Sequence, residues 1–173
     1  MLRIYAPYIE NTSITFEYDV PSVSEFALRI EEIQKKYPWI VYEEEGKILG
    51  YAYGGPMLTR AAYQWTVESS VYVSEKAKGR GIGTLLYDTL LDMLKKQNFC
   101  VCYALVIAEN AVSVKMHEKY GFRKVGFLEN SGYKFEGWHS VIIMEKQLND
   151  FAPRPKKVIP IGELEYDFKG HLA

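Results

Sequence analysis

Apolar and polar positions along this chain recur with two periods, and the switches between them mark out the elements. Behind Pro21-Ser22, the residues Val23, Phe26, Ile30, Ile33 and Tyr37 recur at helical spacing, and Ser22 with Glu25 has the spacing of a capping box. Residues 23–37 are therefore predicted as a helix. After Pro38, the runs WIVYEE and KILGYAYGG flank Glu45-Gly46, which reads as strand, turn, strand. YQWTVESSVYV, residues 63–73, is β-branched and aromatic throughout and is predicted as a third, longer strand.

In the second half, Ile82, Leu85, Leu86, Leu90, Met93 and Leu94 form one helical face that ends near Gln97-Asn98. FCVCYALVIA is a nearly continuous apolar run, as expected of a strand covered on both faces. Asn110 suits the N-cap of a short helix, AVSVKMHEKY, closed by Gly121 where a left-handed residue is wanted. FRKVGFLEN and WHSVIIMEKQL are predicted as two further strands joined through SGYKFEG. Strands alternating with helices argue for an α/β class with a mixed sheet and crossover helices, in one domain over residues 1–148. Residues 149–173, with three prolines and no period, are predicted as an extended tail.

Composition narrows the function classes. A chain of 173 residues, 48 % hydrophobic, is long enough for one real core, and no apolar run approaches the roughly 18 residues of a membrane span. A net charge of −1, from 21 basic and 22 acidic residues, gives no global field for nucleic acid or an anionic membrane, so anion binding must be local. The opening MLRIYAPYIE lacks the pattern of a secretory signal, which makes the cytoplasm the expected location. Cys100 and Cys102 alternate along a predicted strand, too close to bridge easily, and are expected as free, buried thiols; no metal set is expected.

Local anion binding has one clear candidate. Lys78-Gly79-Arg80-Gly81-Ile82-Gly83-Thr84 joins a predicted strand end to a predicted helix start. Free N–H groups and a partial positive charge sit there, and glycines let a phosphate approach closely, with Lys76, Lys78 and Arg80 adding countercharge. No lysine follows Gly83 as a P-loop requires. Thr84 stands where the dinucleotide fingerprint wants its third glycine, and no acidic residue follows at the right strand end.

The segment from Lys78 to Gly83 resembles the pyrophosphate loop [QR]-x-x-G-x-[GA] of the GNAT N-acetyltransferases, with Lys in the first position. Asn110-Ala-Val-Ser113 followed by His117-Glu118-Lys119-Tyr120-Gly121-Phe122 resembles that family's second block. YPWIVYEEEGKILGYAYGGP, AYQWTVESSVYVS, MHEKYGF and GYKFEGWHSV are most similar to its phosphinothricin acetyltransferase branch. The resemblance covers roughly residues 5 to 148. It implies a mostly antiparallel mixed sheet flanked by helices and an acetyl-CoA-dependent N-acetyltransferase. The family opens with a strand before its first helix, and this chain begins inside the region similar to that helix, so the first strand is expected to be missing.

The resemblance also distributes roles. Acetyl-CoA would lie on the loop Lys78, Gly79, Arg80, Gly81, Ile82, Gly83 and Thr84, with Asn110 and Ser113 beside the pantetheine arm. The backbone of Val71, Tyr72 and Val73 would pair with its amides like an added strand. Glu68 interrupts a predominantly apolar strand, and in a cleft its pKa would rise toward neutrality, as a general base needs. A solvent-facing edge glutamate is the bland alternative. His117 occupies the position where many members of the family have an acid tyrosine, and would serve as general acid or proton relay; an ordinary surface histidine is its alternative. Arg60, Tyr63, Tyr72 and His139 are candidates for the acceptor site, with His171 weaker.

The implied acceptor is the α-amine of a small amino-acid analogue of phosphinothricin or methionine sulfoximine type, and the implied role is detoxification. A polyamine, aminoglycoside or peptide amine is the alternative acceptor, which an acidic groove would favour; Glu43, Glu44 and Glu45 stand together but read first as a solvated hairpin turn. A non-catalytic acyl-CoA-binding module is the third reading. A homodimer is implied by the same resemblance.

Overall fold

A computed structural model describes residues 1–168. His171 lies outside the described residues. The chain opens with α1, Leu2–Asn11, which holds Pro7 in its interior and buries Ile4, Tyr5 and Ile9. Helix α2, Val23–Gln34, starts at a complete capping box: Ser22 accepts from the Glu25 N–H, and the Glu25 carboxylate accepts from the Ser22 N–H. It ends at Gln34, with Lys35 as its cap, short of the predicted Tyr37.

Strands β1, Trp39–Glu44, and β2, Lys47–Gly55, form the predicted hairpin. Its loop residues Glu45 and Gly46 both have positive φ, 50° and 71°, as a type I′ turn requires. Strand β3 runs over Thr66–Val73. The predicted residues 63–65 are not part of it: Ala61–Tyr63 forms a single 3-10 turn, and the Trp65 indole N–H donates to the Lys156 carbonyl at 2.7 Å. Then come α3, Ile82–Lys96; β4, Val101–Ile107; α4, Ala111–Lys119; β5, Arg123–Lys134; and β6, Gly137–Gln147.

The six strands form one sheet in the order β1-β2-β3-β4-β6-β5, and α1 precedes the first of them. Every adjacent pair is antiparallel except β3 with β4. One face of the sheet is covered by α3, whose Leu86, Tyr87, Leu90 and Leu94 pack with Ala52, Val67, Cys102 and Met144. The other face carries a second cluster in which α1 and α2 contribute Ile4, Tyr5, Ile9 and Phe26 against Tyr51. Cys100 and Cys102 are buried free thiols, and burial pushes the Cys102 thiol up to about 12.

The C-terminal segment is held against this body rather than hanging from it. The Gln97 side-chain amide is fully buried and donates to the Lys36 and Ile159 carbonyls at 2.8 and 2.7 Å. Asn98 donates to the Lys157 carbonyl at 2.9 Å, and Val158 packs on the core. Ile161–Glu163 adds a 3-10 turn. Among the described residues, no helix is long and apolar enough to cross a membrane.

Candidate active site

The site begins with a defect in the sheet. Strands β3 and β4 pair at only three positions, Thr66 with Val101, Val67 with Cys102 and Glu68 with Tyr103. Beyond Glu68 the strands part, β3 following β2 to Val73 and β4 following β6 to Ile107. Between them lies a cleft of about 480 Å³ whose walls include Glu68 to Tyr72 of β3, Ala104 to Ile107 of β4, and Asn110, Ser113 and His117 of α4.

Strand geometry fixes what β3 shows to this opening. Ser74 N–H donates to the Leu49 carbonyl on the β2 side, while the Trp65 carbonyl accepts from Cys100 on the β4 side. Backbone groups alternate sides, so the N–H and C=O of Val71 and Val73 face the opening and those of Tyr72 face β2. The expected backbone partners therefore reduce to Val71 and Val73. The Val73 carbonyl already accepts from the Tyr8 hydroxyl at 2.7 Å. The Tyr72 side chain joins Tyr5, Tyr8 and Tyr51 in an aromatic cluster on the α1 face.

Glu68 stands where the two strands part. Burial raises its pKa, and no lysine or arginine pairs with it among the described residues. His117 reaches the cleft from α4 and is only 4 % exposed. Its Nδ1 lies 2.8 Å from the Ser113 carbonyl, which can only accept, so Nδ1 carries the proton and Nε2 is bare in the neutral ring. Burial lowers its pKa, opposed by that hydrogen bond. Its ring meets the Tyr87 and Phe122 rings nearly edge-on, at 5.2 and 5.1 Å between centroids. Asn110 caps α4 by accepting from Ser113 N–H at 3.1 Å, and both residues line the cleft.

At the far end of β3, Lys78 to Thr84 leads into α3. Gly81 caps this helix with φ of 79° and no side-chain bond, leaving the first-turn N–H groups of a 15-residue helix free of any capping side chain. From Glu68 to Val73 the strand extends about 17 Å at ~3.3 Å per residue, so an elongated ligand can run from the carboxylate to this loop. Two of the three rim cations are engaged within the chain. Arg80 pairs with both Glu44 oxygens at 2.8 and 3.0 Å, and Lys78 pairs with Glu75 at 2.5 Å.

Three expected acceptor residues lie elsewhere. Arg60 and Tyr63 precede β3 at the end where it is still paired with β4, and neither lines the cleft. His139 is also outside its lining; its Nε2 donates to the Lys134 carbonyl at 3.0 Å. The cleft is lined instead by Tyr5, Ile14, Thr15, Phe16 and Tyr53. No sequence motif marks these residues, because Ile14, Thr15 and Phe16 of the α1–α2 connection meet Tyr5 of α1 and Tyr53 of β2 only through tertiary packing.

A sheet parted beside a cleft, with a glycine-rich helix N-terminus at its end and a desolvated carboxylate at its root, can seat an elongated anionic ligand next to a candidate base. The model of the acetyltransferase (GNAT) domain matches residues 1–143, and the chain belongs to that family. Within it the chain falls in the phosphinothricin acetyltransferase-like branch, as an acetyl-CoA-dependent N-acetyltransferase. It is 38 % identical over 157 residues to the phosphinothricin N-acetyltransferase of Streptomyces viridochromogenes, covering 91 % of this chain and 85 % of that one. It is 34 % identical over 116 residues to the L-methionine sulfoximine/L-methionine sulfone acetyltransferase of Salmonella typhimurium, covering 67 % and 68 %. Its fold superposes with a TM-score of 0.87 on a phosphinothricin acetyltransferase from Sinorhizobium meliloti solved in complex with acetyl-CoA, at 32 % identity and with 92 % and 88 % of the two chains covered.

Proposed function

We propose that this enzyme transfers acetyl from acetyl-CoA to the α-amine of a small amino-acid analogue, of the phosphinothricin or methionine sulfoximine type. The observation that supports this most is the single cleft at the β3–β4 parting that gathers Glu68, His117 and Asn110. The two relatives' acceptors supply the substrate class. The free backbone of Val71 and the Gly79–Thr84 turn fit the amides and phosphates of a CoA chain.

Bound acetyl-CoA supplies the thioester carbon: a C–N bond to the amine forms and the C–S bond breaks. Glu68, its pKa raised by burial, takes a proton from the incoming ammonium and leaves a nucleophilic lone pair. In the neutral ring of His117, Nε2 has no proton to give, so this residue acts as a relay rather than a standing acid. Nε2 accepts the remaining surplus proton and passes it to the departing sulfur, while the Ser113 carbonyl holds the ring's orientation through Nδ1. Holding amine and thioester together contributes much of the acceleration. The product lacks the ammonium charge, which disables an analogue that must bind as an α-ammonium and makes the reaction a detoxification. We include in this reading a homodimer, with the edge strand β5 and the exposed Phe127, Tyr133 and Trp138 as the pairing face; light scattering after gel filtration tests it.

Release of CoA thiol is followed with L-phosphinothricin, L-methionine sulfoximine, spermidine and a peptide amine. Turnover with the first two alone, strongly cut in Glu68→Gln and His117→Ala, is expected. Turnover with spermidine or peptide alone overturns the acceptor class. No turnover with any of them, while acetyl-CoA still raises the melting temperature, favours a binding module.

A further inference from the structure

The acceptor-side wall of the cleft is built from a connection that has no secondary structure of its own, yet three consecutive residues of a distant hairpin grip it. Lys134, at the end of β5, is 3 % exposed. Its Nζ lies 2.7 Å from the Ile9 carbonyl, 2.9 Å from that of Thr12 and 2.8 Å from that of Thr15. An ammonium has three N–H donors, and all three are used. Ile9 belongs to the last turn of α1, whose carbonyls lack helical partners and form the negative end of the helix dipole. That turn holds no basic residue of its own, and Thr12 breaks the helix with an extended backbone, φ −142° and ψ 157°. The cation that such an end attracts arrives from more than 100 residues away.

The neighbours of Lys134 act on the same connection. A Cβ at Gly132 would fall 2.3 Å from the Phe16 ring, so that ring rests directly on the glycine backbone. The Tyr18 hydroxyl donates to the Tyr133 carbonyl. Gly132, Tyr133 and Lys134 thus hold Ile9 to Tyr18, and within that stretch Ile14, Thr15 and Phe16 line the cleft beside Tyr5 and Glu68. With every donor spent on carbonyls, Lys134 has none left for a ligand.

We propose that Lys134 is a positioning residue that sets acceptor affinity by clamping the Thr12–Phe16 segment, whose Ile14, Thr15 and Phe16 wall the cleft. This rests on the proposed function in one respect, that the wall meets the acceptor amino acid. Removing the ammonium leaves three carbonyls without donors, and the wall opens toward water to satisfy them.

The test compares wild type with Lys134→Met and Tyr18→Phe, measuring KM for L-phosphinothricin and for acetyl-CoA separately, and hydrogen exchange of peptides spanning residues 9–18 and 82–96. In Lys134→Met the acceptor KM is expected to rise at least about tenfold, because small misplacements of a positioning group are costly. The acetyl-CoA KM should stay within roughly twofold, the split that separates a positioning role from general loss of structure. Exchange should quicken in 9–18 and not in 82–96. Equal rises in both KM values, or an unchanged acceptor KM, overturn the proposal. If Lys134→Met does not fold, Tyr18→Phe decides, since Tyr18 is 66 % exposed and among the described residues its hydroxyl bonds only to the Tyr133 carbonyl of the clamp: a raised acceptor KM supports the proposal and an unchanged one overturns it. If wild type acetylates neither amino acid, the proposed function fails by itself and exchange alone judges the clamp, unchanged protection of 9–18 being the overturning result.

Discussion

Replacing Glu68 by Gln should slow the enzyme and stabilise the fold, and the two effects have one cause. The carboxylate sits where β3 and β4 part, its pKa raised by burial, with no cation paired to it among the described residues. As a general base it is worth about 10²–10⁴ in rate, or roughly 2.7–5.4 kcal/mol of barrier at 1.36 kcal/mol per decade. The same desolvation penalises the charged form in the folded state. A carboxyl whose folded pKa lies above its unfolded one imposes no penalty below the unfolded value of about 4.3, and the full penalty above the folded value. Glutamine, isosteric and uncharged, removes that penalty. The melting temperature of Glu68→Gln should therefore exceed that of wild type at pH 7 to 8, and the difference should shrink to nothing as the pH falls to about 4. Wild-type kcat/KM should climb with pH on its acid side through the raised Glu68 value, and the variant should lose that limb. Calorimetry from pH 4 to 8 and a pH–rate series read the two quantities. A variant that keeps wild-type turnover, or melts lower than wild type at pH 8, refutes the reasoning.

Other sites separate cofactor, stability and relay contributions. Gly81→Ala places a Cβ in open space but at φ of 79°, so it should cost about 1–2 kcal/mol of conformational strain and raise the acetyl-CoA KM while leaving the acceptor KM unchanged, as calorimetry and kinetics would show. Ser22→Ala removes the capping box of α2 and should lower stability by about 1 kcal/mol in urea unfolding, with kcat unaffected. Gln97→Leu unfastens the C-terminal segment by leaving the Lys36 and Ile159 carbonyls without their buried donor, a loss of about 2–4 kcal/mol, and proteolysis should then nick the chain near residue 159. His117→Ala should cut kcat by about 10²-fold and remove from the acid side of the kcat profile the inflection caused by protonating Nε2, since the relay works only while that nitrogen is bare.

Most of the sheet was legible because each strand after Pro38 carries its own period and its own punctuation. The hairpin at Glu45-Gly46 and the helix starting at Ile82 are local facts, and local physics decides them. The connection read as SGYKFEG was misassigned for a local reason too: β5 continues to Lys134, and the two-residue turn that follows uses Phe135 and Glu136, both at positive φ, 50° and 60°, where glycine or asparagine is the usual signal. Helix α1 carries a helical period, with Ile4, Tyr5, Tyr8 and Ile9 on one face, but Pro7 in its interior is the residue that usually ends a helix, and ring contacts of Tyr5 and Tyr8 with Tyr72 hold it in place. The proposed CoA side, from Val71 to Thr84 with Asn110, rests on backbone conformation, and its glycines and helix cap are visible in the sequence. The proposed acceptor side is not. Arg60 and Tyr63 have the right chemistry but lie outside the cleft, whereas Thr15 and Phe16 line it, the Thr15 carbonyl accepting from a lysine more than 100 residues later and the Phe16 ring resting on Gly132.

The central claim is chemical, that the cleft joins acetyl to an amino acid's α-nitrogen. It is tested most directly by supplying acetyl-CoA labelled with ¹³C at the acetyl carbonyl together with L-phosphinothricin and following the label by NMR. The account predicts an amide carbon bonded to the α-nitrogen in the wild-type reaction, formed far more slowly by Glu68→Gln. Label that stays in the thioester, or appears only as free acetate, contradicts it.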